Sequence, residues 1–194
     1  MSKHLNNQHQ IKPVGMLILY AAVLSSVLTG SAGAASDPVA IKVTGSVVDN
    51  TCTIDESGSD MTPALDTISA RDLKGQGTIL GKRDIKLALK DCGKDVTRGI
   101  VITASGTPDT DDTDGYAFKN ADTGDAAATG VGLQFYKSVD KLTPFKAAGG
   151  SSEKITALVE GSNTVTFAAA YVATVAEPGA GSFSTTVNLS LAYQ

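Results

Sequence analysis

Few side chains in this sequence could carry chemistry, and their placement argues against most of it. Cys52 and Cys92 are the only cysteines, His4 and His9 the only histidines, and there is no tryptophan. An even cysteine count in an exported chain reads as one disulfide, closing a loop worth roughly 4 kcal/mol on the chain-entropy account. The alternative is a redox-active pair, which lacks the Cys-x-x-Cys spacing that depresses a thiol pKa. Both histidines fall inside a segment with the marks of a secretory signal, so the exported chain carries no imidazole. Without imidazole or free thiol, Ser-His-Asp and Cys-His nucleophilic machinery and the usual zinc sites are excluded. Composition leaves hydrolysis by paired carboxylates open, yet no acidic pair sits on an apolar strand where burial would raise a pKa. The run from Asp109 to Gly115 places acidic residues before a glycine, as calcium loops do. With Gly115 at the sixth position, Thr110 stands at the first and Ala121 at the twelfth, where a bidentate Glu belongs, so two decisive ligands are missing. No catalytic residue, cofactor site or metal ligand is assigned.

Export is read from residues 1–34. Lys3 and Lys12 form a basic leader, Val14 to Leu28 an apolar stretch, and Ala32-Gly33-Ala34 a small-residue cleavage signal, with cleavage after Ala34 or Ala35. A membrane anchor is the competing reading, but the apolar run is shorter than the ~20 residues a spanning helix needs. Two of the 16 basic residues leave with the signal and none of the 20 acidic ones, so 14 basic residues face 20 acidic and the net charge is −6. An acidic surface disfavours nucleic acid, which is bound by displacing counterions with basic patches.

The elements that must position these residues read as strands. From Gly181 to Gln194 the chain alternates, with Phe183, Thr185, Val187, Leu189, Leu191 and Tyr193 on one face. A sandwich that ends on its most apolar strand needs something beside that edge. At the other end, Val39, Ile41, Val43, Gly45 and Val47 also share a face, and we expect the two ends to be complementary in neighbouring molecules. A simple first strand of the sandwich is the plainer alternative. Between them, Met61–Ile68 is a short strand candidate and Leu73–Gly81 a connection punctuated by glycine. Ile85, Leu87 and Leu89 face one way, Lys86, Ala88 and Lys90 the other. Continued alternation would put Cys92 on the Lys86 face, so a bulge or the strand's end must re-aim it. Ile100–Ala104 is the next strand. Thr107–Asp125 is a polar surface loop, or a loop carrying a short hairpin, with its middle pinned by Tyr116 and Phe118. Val131–Tyr136 follows, then a second irregular connection through Leu142–Lys146 and Gly149–Ser152. A long strand carries Val165, Phe167, Ala169, Tyr171, Ala173 and Val175, and Glu177–Gly181 turns into the last one. About seven strands separated by turn signals predict an all-β, immunoglobulin-like sandwich.

Several of these residues, in this order, resemble the subunits of chaperone–usher pili, in particular the type 1-like fimbrial pilins. The matching pieces are Gly-x-Val-Val-x-x-x-Cys from Gly45 to Cys52, the series Ile85, Leu87, Leu89 and Cys92, then Ala169, Tyr171, Ala173 and Thr174, and an ending with Gly181 fourteen residues from the C-terminus and a penultimate Tyr193. Each is a weak motif, and the order and spacing across residues 36–194 make the match specific.

The resemblance implies an incomplete immunoglobulin-like sandwich, the pilin fold, whose last strand a neighbouring subunit supplies in trans. It implies a cleaved signal at 1–34, an N-terminal donor-strand extension at 35–44 and a pilin domain at 45–194. Val39, Ile41 and Val43 would be donor side chains, with Gly45 allowing close approach. Gly181, Phe183, Val187, Leu189, Leu191 and Tyr193 would form the acceptor edge, presented first to a periplasmic chaperone whose basic cleft holds the Gln194 carboxylate. The partners implied are copies of itself or other pilin subunits, that chaperone and an outer-membrane usher, with host receptor contact indirect. The expected function is a non-enzymatic structural subunit of a surface fimbria that polymerises by donor-strand exchange and supports adhesion. The alternative is a minor adaptor or adhesive tip subunit of the same kind of pilus. A two-domain tip adhesin is disfavoured, since the 160 residues left by cleavage have no room for a receptor-binding domain.

Overall fold

Alternating aliphatic and β-branched residues build the strands of this protein, and glycine, proline and aspartate end them. The computed structural model describes residues 52–193; the signal segment, the extension with Val39, Ile41, Val43 and Gly45, and Gln194 lie outside the described residues. Eight strands are formed among the described residues: β1 Thr53–Ile54, β2 Ile79–Cys92, β3 Ile100–Ser105, β4 Ala117–Lys119, β5 Val131–Tyr136, β6 Ser152–Ile155, β7 Gly161–Ala173 and β8 Asn188–Tyr193. One sheet has the order β1-β2-β7-β5-β4 and the other β6-β3-β8, and every ladder is antiparallel.

The two sheets bury one shared core. Ile85, Leu87 and Leu89 of β2 and Val165 and Phe167 of β7 meet Ile100, Ile102 and Ala104 of β3, while β8 packs its half-buried Leu189 and Leu191 on the same cluster. Phe135, Phe145 and Phe167 stack at its centre with ring centroids 5.2–6.3 Å apart. Aromatic pairs at this spacing add about 0.5–1.5 kcal/mol each beyond area burial.

Of the two devices that could re-aim Cys92, a bulge or the strand's end, both are present, since β2 ends at Cys92 just after a bulge. The β2–β7 register shifts between Leu89 and Cys92, and Asp91 takes φ 54°. An aspartate tolerates this left-handed conformation, and the extra residue turns the buried Cys92 sulfur inward to bond Cys52. The polar stretch after β3 contains the short β4, with Phe118 fully buried as its anchor and Tyr116 half-buried beside it.

Four sequence expectations are corrected. Met61–Ile68 joins no ladder: Pro63 has no N–H to give, and the segment runs exposed along the molecule with only Leu65 and Ile68 half-buried. The connection at Leu73–Gly81 ends early, because Ile79 and Leu80 already pair with Val172 and Tyr171. Ser152–Ile155 is a strand although its inward residue is Glu153, a polar side chain that hides the apolar alternation. The final strand is laddered only from Asn188, since β3 ends at Ser105 opposite it and leaves residues 183–187 without a ladder partner.

Candidate strand-accepting groove

Where β8 lacks a second neighbour, the space between the sheets is open. The opening is a groove of about 640 Å³. Its floor is apolar: Ile85 and Leu87 from β2, Phe167 and Ala169 from β7, Leu133 and Phe135 from β5. Two segments form its walls, Phe183–Leu189 on one side and Ser59–Leu65 on the other, and apart from Asn188 and Leu189 neither is in a ladder. A strip of apolar floor between segments of main chain that join no ladder is the arrangement to which an extended strand can be added.

The acceptor residues named from sequence are brought together. Phe183, Val187, Leu189, Leu191 and Tyr193 are all half-buried, alternate with exposed neighbours, and pack on the main core cluster. Phe183, Val187 and Leu189 line the groove itself. Phe183 also meets Tyr171 edge-on at 5.4 Å. Tyr193 does something the alternation did not anticipate: its hydroxyl accepts from the Cys52 N–H and donates to the Cys52 carbonyl, both at 2.9 Å. This joins the end of β8 to the disulfide at the start of the described chain.

Gly181 sits outside the groove, at a crossing of backbones. A Cβ there would lie 2.3–2.5 Å from main-chain atoms of Ala126, Ala127 and Ala128, so only glycine fits. The neighbouring Ser182 donates to the Ala126 carbonyl and accepts from Ala128 N–H. The crossing fixes where the C-terminal wall begins.

Sequence reasoning missed the residues that hold the walls. Asn120 donates through its amide to the carbonyls of Ala128 and Ser182 and accepts from the backbone of Ser184 and Asp122. Hydrogen bonds from Ser184 and then Ser182 hold the Asp122 carboxyl below its ordinary pKa. On the other wall, Asp60 and Lys86 exchange a backbone and a side-chain bond, each 2.9 Å, and Arg83 donates to the Ala64 carbonyl. Polar residues in loops carry no periodicity, so nothing local marked them.

The acidic run is spent on its own backbone. Asp112 accepts from Tyr116 and Ala117 N–H, and Asp109 accepts from Asp111 N–H. Among the described residues no group of three or more acidic, histidine or cysteine side chains is placed to hold a metal, and no helix is long and apolar enough to cross a membrane.

Known proteins share both sequence and fold. The sequence profile described as fimbrial protein matches residues 41–194. A laminin-binding fimbrial subunit, ElfA of Escherichia coli O157:H7, is 33% identical over 158 residues, covering 81% of this chain and 84% of that one. An antigen and type I fimbria protein of Burkholderia pseudomallei has a crystal structure that superposes with TM-score 0.53 at 31% identity, covering 75% of this chain and 91% of the other. The P pilus rod subunit PapA, at 20% identity, shares the fold, with TM-score 0.56 over 74% of this chain and 99% of its own. An all-β sandwich with an apolar groove beside its last strand, matched along most of its length by pilins, has one conclusion: the chain belongs to the fimbrial protein family, as a subunit of chaperone–usher pili exported to the cell surface and not an enzyme.

Proposed function

We propose that this protein is a structural fimbrial subunit that polymerises by donor-strand exchange, with the groove of one molecule receiving Val39–Gly45 of the next. The observation that carries the reading is the unladdered main chain on both sides of an apolar floor. Lengths agree: Val39–Gly45 and Phe183–Leu189 are seven residues each, and paired as strands at about 3.3 Å per residue each would span roughly 23 Å. Burying the three aliphatic side chains Val39, Ile41 and Val43 contributes roughly 5–9 kcal/mol before entropy costs. The new main-chain ladder satisfies peptide groups that otherwise stay open to water. Pro38 suits the start of such a strand because it has no N–H to leave unpaired.

Before assembly the same edge is held by a periplasmic chaperone, which delivers the subunit to an outer-membrane usher. Gly181, Tyr193 and the Gln194 carboxylate belong to the part it grips. A single domain with its own donor and acceptor segments serves as a repeating shaft subunit or as an adaptor between two other subunits.

Fibres sheared from the producing cell, run in SDS with and without boiling, test this reading. Wild type should give a ladder of multimers that collapses to monomer only on heating, and Ile41→Asp or Leu189→Asp should abolish it. A single monomer band from wild-type fibres in unheated SDS would sink donor-strand polymerisation.

A further inference from the structure

The wall that ends in β8 has a second opening, on the edge away from the groove. β3 and β8 pair as far as Ser105 and Asn188, and there the ladder stops. Four residues earlier in the chain the wall is held again: the Ser184 carbonyl accepts from Ala121 N–H at 2.7 Å, and Ser184 N–H donates to the Asn120 side chain at 3.0 Å. Between these two points Thr185, Thr186 and Val187 join no ladder. A cleft of about 540 Å³ opens in the gap, within the roughly 300–1,000 Å³ of small-molecule sites. Gly106, which also lines it, packs so closely that a Cβ there would lie 2.6 Å from the Thr186 carbonyl oxygen and 2.8 Å from the Phe118 ring.

The lining is polar and unspent. The hydroxyls of Ser105, Thr107, Thr123, Thr185 and Thr186 and the Asn188 amide converge on the cleft without a side-chain hydrogen bond to any other described residue. Elsewhere such groups are used up by the chain itself: the Asn120 amide bonds four backbone groups, and the Asp112 carboxylate three. Size and chemistry together name the ligand. Three residues of open main chain, roughly 10 Å, are too few to register a paired peptide and long enough for a sugar ring. Hydroxyl and amide groups both donate and accept, as sugar hydroxyls do, whereas a sulfate or phosphate only accepts. Lys119 is the one charged residue in the lining.

We propose that this cleft binds a neutral carbohydrate, one ring or two of a glycan chain. With no aromatic face in the lining, a single cleft holds its sugar weakly. A fibre that repeats the cleft turns weak single contacts into avidity, by about 10²–10⁴-fold. That gain rests on the polymerisation proposed above, whereas the cleft belongs to each subunit. The donor strand enters on the groove edge of the wall and leaves the opposite edge open.

The test passes fibres over agarose beads carrying galactose, mannose, N-acetylglucosamine or fucose. It compares wild type, Thr107→Ala with Asn188→Ala, and Ser190→Ala. Thr107 and Asn188 are exposed, so their truncation leaves folding intact, and Ser190 is exposed on the same face of β8 but outside the cleft. Wild type and Ser190→Ala should be retained on at least one sugar and released by the same sugar, free, at millimolar concentration. The double variant should release at about tenfold less, for the loss of two hydrogen-bonding side chains, and all three should keep the heat-dependent SDS ladder. Equal retention of the double variant overturns the proposal, as does wild type retained on none of the four sugars. Retention on heparin beads alone, abolished by Lys119→Ala, also overturns it and assigns the cleft to an anion. If wild-type fibres give no heat-dependent ladder, the donor-strand reading fails. The same four sugars, displayed in many copies on albumin and passed over a dense surface of the full-length subunit, then decide the cleft by the same comparison of variants.

Discussion

The closed and open sides of the sandwich are made of the same kinds of residue and end in opposite states. On the closed side, Phe145 is fully buried, its N–H donates to the Phe135 carbonyl at 2.8 Å, and Glu153 locks the adjacent loop. On the open side, Phe183, Val187 and Leu189 are equally apolar but only half-buried. What differs is the main chain: Phe135 lies in β5, which is paired on both edges, and residues 183–187 have no ladder on either.

That contrast can be broken most severely at Phe167, fully buried and shared by both sides, as a member of the aromatic trio and as floor of the groove. Phe167→Ala should cost about 3–5 kcal/mol in urea unfolding; a loss under about 1 kcal/mol would mean the two sides do not share a core. Next is the disulfide, which fastens the open side. Replacing Cys52 and Cys92 with serine should cost about 2–5 kcal/mol, read by the same denaturation. Retention of wild-type stability would place the anchoring elsewhere. Tyr193→Phe removes both hydrogen bonds to Cys52 and should cost about 1–2 kcal/mol. Its amide exchange should quicken at Cys52 and along β8 and stay unchanged at Phe145, which separates the two sides directly.

The smallest effect concerns the closed side's loop. Hydrogen bonds from the Thr143 side chain and from the Thr143 and Leu142 backbone hold the Asp140 carboxyl down at about 2. A depressed carboxylate contributes its support above its unfolded pKa, about 4, and loses it as pH falls through the folded value. Amide exchange at Leu142 and Thr143 should therefore quicken as pH drops from about 4 toward 2, after allowance for intrinsic rates. Asp140→Asn should remove that pH dependence, and its persistence in the variant would assign the effect to another group.

Much of this was legible in advance where one residue's neighbours along the chain decide its surroundings. The alternation of Ile85, Leu87 and Leu89, the β-bulge before Cys92 and the half-buried row from Phe183 to Tyr193 all follow from period-2 geometry. The illegible parts depended on residues far apart. Asn120 holds Ser182 and Ser184 from more than sixty positions away, and β6 escaped notice because its buried residue, Glu153, is satisfied by Ser138 and Val139 rather than by apolar contact. Met61–Ile68 looked like a strand and is not, because an edge ladder needs donors and Pro63 interrupts them.

By itself, then, the sequence determined the all-β class, the cysteine pair and the apolar rows that need covering, because side-chain alternation and backbone chemistry are local. Only the tertiary structure decided which of those rows are covered from within and which remain open as a groove, because cover is supplied by strands distant in sequence, and β8 has one such neighbour where β7 has two.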